Sequence, residues 1–199
     1  MKIACWNVNS LKVRLPHVLD WLAANPVDAL CLQETKTEDK GFPFAELSAA
    51  GYHALHNGQK TYNGVAILSR SEHGAPEAVV AGMGDGDPDS EARLLAATIP
   101  GLGVRVLSAY IPNGQVVGSD KYSYKLAWLA RLRRYLDTRC DPQTPLLLCG
   151  DYNVAPDDRD VYDPPGWADT VICHPEVRAG FQRLLDFGLS DTLRLRNQQ

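Results

Sequence analysis

Leu146-Leu147-Leu148-Cys149-Gly150-Asp151-Tyr152-Asn153 is the stretch on which the fold turns. An apolar run of strand length stops at a glycine, then offers a carboxylate and an amide two residues apart. Successive side chains of an extended chain alternate faces, so Asp151 and Asn153 point the same way. The rims of α/β sheets are where ligands and chemistry usually sit. Taken alone, the same residues also read as a buried strand followed by an Asx-rich turn. The rest of the chain has to separate the two readings.

Moving outward, Lys2–Val8 alternates, with Ile3, Cys5 and Asn7 on one face and Ala4, Trp6 and Val8 on the other, which predicts a first strand. Val18, Leu19 and Leu22, with Trp21 nearby, predict a helix that ends near Asn25-Pro26. Asp28–Gln33 carries Ala29, Leu30, Cys31 and Leu32 and reads as a strand buried on both faces, ending at Glu34. Strand, helix, strand is a βαβ start. Phe44–Ala50 suits a short helix. Tyr52–Leu55, Gly64–Ser69, Leu94–Ile99 and Val104–Tyr110 read as strands, punctuated by turns at Asn57-Gly58, Asn63-Gly64 and Asn113-Gly114. Gly82–Asp89 reads as a loop whose ligand spacing is wrong for an EF-hand. Lys121–Cys140 is the clearest helix, with Leu126, Leu129, Leu132 and Leu136 at helical spacing. A Pro- and Asp-rich loop follows the opening strand through about Trp167, and an amphipathic helix is expected around Glu176–Phe187.

The 199 residues suffice for one domain with a sizeable core, and 45% apolar with 22% charged content is ordinary for a globular protein. No apolar run approaches the roughly 20 residues of a membrane span. The start, Met1-Lys2-Ile3-Ala4-Cys5-Trp6-Asn7, is too short and polar for a signal-peptide core, so a cytoplasmic location is expected. Cys5, Cys31, Cys140, Cys149 and Cys173 form no Cys-x-x-Cys pair, and the expectation is buried reduced thiols. A net charge of −4 does not advertise a nucleic-acid partner, although a hydrolase that meets DNA through a metal site brings its own carboxylates.

Asn7, Glu34, Tyr110 and the Asp151/Asn153 pair all fall at strand ends. One or two carboxylates, an amide and a phenol suit Mg²⁺ and a phosphate, because magnesium takes few protein carboxylates and leaves room for substrate oxygens. The metal can polarise a phosphoryl oxygen, and amides and a phenol can donate to phosphate. No zinc His-x-x-x-His pattern, nucleophile elbow, P-loop or Gly-x-Gly-x-x-Gly fingerprint occurs. His17, His53, His56, His73 and His174 are scattered and read as structural or surface residues.

At these residues the chain resembles exonuclease III and the related bacterial apurinic/apyrimidinic endonucleases, within the endonuclease/exonuclease/phosphatase superfamily. The matching motifs are Trp6-Asn7-Val8-Asn9-Ser10, Leu32-Gln33-Glu34-Thr35-Lys36 and Asn63-Gly64-Val65-Ala66-Ile67-Leu68-Ser69. Ala109-Tyr110-Ile111-Pro112-Asn113-Gly114 and Gly150-Asp151-Tyr152-Asn153 complete the set. The resemblance implies a four-layer α/β sandwich of two packed mixed β-sheets flanked by helices. It implies a Mg²⁺-dependent DNA-repair phosphodiesterase, with Mn²⁺ as a substitute, cutting 5′ to abasic sites and removing nucleotides 3′→5′ from double-stranded DNA. Asn7, Glu34, Asp151 and Asn153 then resemble the metal site, with Glu34 as the direct ligand. Tyr110 would contact the scissile phosphate, Asp151 would handle a proton, and Asn153 would hold the nucleophile or phosphate. Lys121 and Lys125 resemble basic residues near the DNA backbone, where contacts position DNA without reading sequence. A monomer is expected.

The family pattern continues with an aromatic Trp-x-Asp-Tyr segment, an Arg-Ile-Asp strand and a Ser-Asp-His motif, none of which occurs here. The expectation is therefore a single domain over residues 1–199 that is incomplete at its C-terminus and missing its C-terminal strands. Two other readings stay open: a catalytically silent DNA- or metal-binding remnant, and a superfamily phosphodiesterase acting on inositol phosphates or sphingolipids.

Overall fold

A computed structural model describes residues 1–87 and 91–196. The loop expected over Gly82–Asp89 is described as far as Asp87; Pro88 and Asp89 lie outside the described residues, as do Asn197, Gln198 and Gln199. The chain divides into two compact units, one of residues 1–110 and 144–151, the other of residues 111–143 and 152–199.

The first unit holds two mixed four-stranded sheets. One has strands β1 (Ile3–Asn7), β2 (Ala29–Gln33), β4 (Val65–Arg70) and β3 (Tyr52–Asn57) in the order β1-β2-β4-β3. β1 and β2 run parallel, joined by helix α1 (Leu11–Ala24), which is the expected βαβ start. The other has the order β5-β6-β7-β8, from β5 (Glu77–Ala81), β6 (Leu94–Ile99), β7 (Val104–Tyr110) and β8 (Leu146–Asp151). Here β7 and β8 are the parallel pair.

Burial follows strand position. The inner strands β2 and β4 are buried along nearly their whole length, and β6 and β7 almost as fully, which is why they read as continuous apolar runs. Alternate residues serve two cores. Ala29, Cys31, Val65, Ile67, Leu95, Ala97, Ile99, Val104 and Val106 fill the space between the sheets. Leu30, Leu32, Ala66 and Leu68 face the other way, onto Leu11, Val18 and Leu22 of α1 and Leu47 of α2 (Phe44–Ala49). Truncating such a side chain, Ile67 for example, costs about 2–5 kcal/mol. The two packed mixed sheets are as expected, with helices covering the first sheet on its outer side.

One strand was not anticipated, and one expectation needs correcting. β5 carried no strand signal, because four of its five residues are exposed and a bulge breaks its register between Glu77 and Val80. None of the five cysteines is in a disulfide, but only Cys31 and Cys173 are buried: Cys140 and Cys149 are half-buried, and Cys5 is exposed on the edge strand β1.

The second unit is built on α3 (Asp120–Arg139) and α5 (Pro175–Leu185), with two short helices, α4 (Pro164–Trp167) and α6 (Thr192–Arg196). Ser119 caps α3 by accepting from the Tyr122 amide, and Pro175 opens α5 behind the His174 cap. The buried stripe of α3 is Tyr122, Lys125, Trp128, Leu129, Leu132, Tyr135 and Leu136. Leu126, from the expected leucine row, is only partly buried, and a lysine sits within the stripe.

Candidate active site

Parallel strands deliver side chains to one rim. In the first sheet Asn7 pairs in register with Gln33, and Glu34 follows at once. In the second, Tyr110 and Asp151 are register partners at the ends of β7 and β8. Gly150 makes that pairing close: a Cβ there would fall 2.0 Å from the carbonyl oxygen of Ala109.

The four side chains meet. Asn7 Nδ2 donates to Glu34 Oε1 and to Asp151 Oδ2, each at 2.8 Å. An amide nitrogen has two hydrogens, so one goes to each carboxylate, and the two acceptors fix which way the amide points. Tyr110 Oη donates to the same Glu34 Oε1 at 2.9 Å. Lys36 Nζ lies 2.8 Å from Glu34 Oε2 and also reaches Asn9 Oδ1. The Asn9 amide in turn donates to Asn7 Oδ1 at 3.1 Å.

This arrangement sets charge. Burial works to raise the Glu34 carboxyl, but the donors Asn7, Lys36 and Tyr110 together outweigh it and hold the group below its ordinary range. Glu34 is therefore an ionised carboxylate at neutral pH. Burial, with the Glu34 charge adding to it, pushes the Tyr110 phenol far above its ordinary value, so Tyr110 stays a neutral donor. Arg93 steadies the ring: its guanidinium lies 4.9 Å from the ring centroid and donates to the Tyr110 carbonyl at 3.2 Å. The backbone is strained at the same rim, with Glu34 at φ 54° and Lys36 at φ 53°.

In the second unit Asn153, at φ 48°, donates from Nδ2 to the Ile111 carbonyl at 3.0 Å and accepts from Asn113 Nδ2 at 3.4 Å. Lys121 is exposed on α3. Lys125 is not on a solvated surface: it is fully buried, and its ammonium donates to the carbonyls of Pro112 and Asn153 at 2.8 Å and of Tyr152 at 3.4 Å. The expectation that Lys125 lies along a DNA backbone is corrected, because an ammonium enclosed by carbonyls does not face a phosphate. The stripe Tyr122, Lys125, Leu129, Leu132, Leu136 was a signal in the sequence for this. Lys36 and Arg93 were missed. Lys36 stands two residues from Glu34, a cue of a kind, whereas nothing local marks Arg93.

The anionic groups that meet at this rim are the Glu34 and Asp151 carboxylates, joined by the Asn7 amide nitrogen, with no imidazole or thiolate among them, which fits a hard divalent cation better than zinc. Among the described residues, three His, Cys, Asp or Glu ligand atoms come within 4.8 Å of one another only at Asp28, Glu72 and His73. Asp28 immediately precedes β2, and Glu72 and His73 follow β4, so the cluster lies at the opposite end of that strand pair from Glu34, about 20 Å along β2 at 3.3–3.4 Å per residue. There His73 Nε2 lies 2.8 Å from Asp28 Oδ1 and the Lys2 amide 2.6 Å from Asp28 Oδ2.

A profile of the Endonuclease/Exonuclease/phosphatase family matches residues 4–191. Exodeoxyribonuclease III of Haemophilus influenzae is 34% identical over 208 residues, an alignment covering 99% of this chain and 76% of that protein. Among solved structures, an AP endonuclease from Archaeoglobus fulgidus superposes with a TM-score of 0.92 at 42% identity, covering 98% of this chain and 74% of its own. A 3′ phosphatase from Neisseria, solved with a product DNA hairpin, superposes at 0.91 with 46% identity and the same coverage.

Proposed function

The chain belongs to the endonuclease/exonuclease/phosphatase family, and from that membership we propose that it is a metal-dependent DNA-repair phosphodiesterase of the exonuclease III type. Its substrates are double-stranded DNA with abasic sites, cut 5′ to the lesion, and duplex 3′ ends. The observation that carries this reading is the Asn7 amide divided between Glu34 and Asp151, with the Tyr110 phenol on the same Glu34 oxygen.

Glu34 would hold a divalent cation, Mg²⁺ or Mn²⁺; Asp151 is the second carboxylate of that rim, Asn7 would have to turn its amide oxygen away from Asn9 to join it, and Asn153 is included on the family resemblance. When bound, the cation supplies neutralisation of charge developing on the phosphoryl oxygens. The chain's own groups do the rest. Tyr110, neutral and held by Arg93, would turn its single hydroxyl hydrogen from Glu34 Oε1 to a phosphate oxygen when substrate binds. Asn7 orients the Asp151 carboxylate through Oδ2. Asp151 handles the proton that must leave the attacking water as its oxygen bonds to phosphorus. The P–O3′ bond breaks, the 3′ oxygen takes up a proton, and a 3′-hydroxyl is left. Asn153 donates to the phosphate or holds the nucleophile, and Lys121 meets the DNA backbone.

No described helix is long and apolar enough to cross a membrane, and the five free thiols suit a reducing compartment. The thiols support a cytoplasmic location, and a monomer is the simplest state for this reading. The test is incubation of the chain with abasic-site duplex and Mg²⁺. Cleavage lost in Glu34→Ala and Asp151→Ala supports the assignment; a rate indifferent to both overturns it. Turnover of an inositol phosphate or sphingolipid headgroup in place of DNA would move the chain to another branch of the family.

A further inference from the structure

Behind Glu34 lies a second row of polar groups that the proposed reaction does not use. His56, on β3, has a fully buried ring with both nitrogens engaged. Nε2 lies 2.9 Å from Thr35 Oγ1, and Nδ1 lies 2.7 Å from Asp39 Oδ1. Phe42 stacks on the imidazole, centroids 4.0 Å apart and planes 25° from parallel. Space for the ring is made by Gly58, where a Cβ would fall 2.0 Å from His56 Cε1. Burial, against the pull of Asp39, lowers the basicity of the ring and keeps it neutral. A carboxylate can only accept, so Nδ1 carries the hydrogen toward Asp39. Nε2 is then a lone pair, and the Thr35 hydroxyl donates to it.

Thr35 is the residue bonded to Glu34, and it is fully buried between the two strained positions Glu34 and Lys36. Its backbone is pinned on both sides. The Thr35 amide donates to the Gly64 carbonyl at 3.2 Å, and its carbonyl accepts from Leu11 at 3.1 Å. The side chain packs against Gly64, and its hydroxyl is paired with His56 Nε2. We infer that Asp39, His56 and Thr35 form a positioning relay that fixes the backbone turn carrying Glu34, and through that turn the placement of its carboxylate for a divalent cation. His56 and Thr35 touch neither substrate nor metal; they act through Glu34. The inference rests on the reading of Glu34 as the metal ligand. Outer groups that hold a metal ligand in place change metal affinity about 10–100-fold; here the hold passes through the Glu34–Thr35 peptide, so the lower end of that range applies.

The test is Mn²⁺ binding by calorimetry on the full chain, without DNA and without turnover, in Thr35→Val, His56→Phe, the double variant and Glu34→Gln. Thr35→Val removes the hydroxyl at nearly constant shape, and His56→Phe keeps a ring on Phe42 but neither nitrogen. The binding component lost in Glu34→Gln is expected to weaken about tenfold in each single variant. The double variant is expected to be no weaker than either, since both remove the same bond. Unfolding midpoints are measured alongside. A lower midpoint with the Glu34-dependent affinity within twofold of wild type would mean a purely structural role and overturn the relay. If His56→Phe does not fold, Thr35→Val alone decides. Binding untouched in Glu34→Gln would overturn the metal reading of Glu34 and the relay with it.

Discussion

The hydroxyl of Tyr110 donates to Oε1 of Glu34 across 2.9 Å, so each group sets the ionisation of the other. The Glu34 charge helps burial keep the phenol protonated, and the phenol helps Asn7 and Lys36 keep the carboxylate ionised. Tyr110→Phe removes one of the three donors, so the Glu34 pKa rises toward its ordinary value. The acid limb of the pH–rate profile is expected to move to higher pH, and the plateau rate to fall about 10²-fold, the typical cost of losing one donor to a reacting oxyanion. Stability shifts with the same sign. A carboxyl depressed in the folded state contributes stability that is present above its unfolded pKa and lost as pH falls through the folded one. Urea unfolding at pH 7 and at pH 3 should therefore differ less in Tyr110→Phe than in wild type. An unmoved acid limb would remove Tyr110 from the control of Glu34.

Asn7 separates two carboxylates by giving each one hydrogen. Asn7→Asp replaces that shared donor with a third acceptor and a third negative charge. The like charges raise the pKa of the cluster, so the variant is destabilised at pH 7, by about 2 kcal/mol, and recovers as pH falls toward 5. Added Mg²⁺ is expected to raise its melting temperature more than it raises that of wild type, because a cation relieves the repulsion only where repulsion exists. Thermal unfolding across pH, with and without Mg²⁺, reads both effects. A variant whose melting temperature does not depend on pH between 5 and 8 would contradict this account.

The inner strands β2, β4, β6 and β7 were legible because each is buried on both faces and so spells a continuous apolar run. β5 was not, since an exposed, bulged edge strand has no burial pattern to write into its residues. Asn7, Glu34, Tyr110 and Asp151 were legible for a related reason: a polar residue ending an apolar run stands out. Arg93 did not, because its position over the Tyr110 ring is set by the antiparallel register of β6 and β7 and leaves no local trace. Lys125 was placed near the DNA backbone by resemblance, although its spacing from Tyr122 and Leu129 put it on the buried side of α3.

Lys121 and Lys125, four residues apart, should respond in opposite ways. Lys125→Met leaves three buried carbonyls without their charged donor and is expected to cost about 3 kcal/mol in urea unfolding. The segment carrying Asn153 loses an anchor with it, so activity falls too. Lys121→Ala is expected to change stability by less than about 0.5 kcal/mol. Its effect is on DNA: affinity drops, and the slope of log K against log salt shrinks by about one, as for one lost phosphate contact. Fluorescence anisotropy with duplex DNA over a salt series separates the two. A reduced salt slope in Lys125→Met at unchanged stability would return that lysine to the DNA backbone.

Gly150, one residue before Asp151, permits β8 to lie close against β7. A Cβ added there meets the Ala109 carbonyl oxygen at 2.0 Å and the Ala109 carbonyl carbon at 2.8 Å. Both atoms belong to the backbone of the neighbouring strand, so no side-chain rotation relieves the overlap. Gly150→Ala must push the strands apart at the register pair Ala109–Gly150, one step from Tyr110–Asp151. The expected cost is about 3 kcal/mol, at the upper end for overpacking. The chemical step should suffer beyond that, because Asp151 moves away from the Asn7 amide that holds its Oδ2 at 2.8 Å. Single-turnover rates under conditions where the variant remains folded distinguish the two losses. A folded Gly150→Ala protein with a wild-type single-turnover rate would show that the approach of β8 to β7 does not place Asp151.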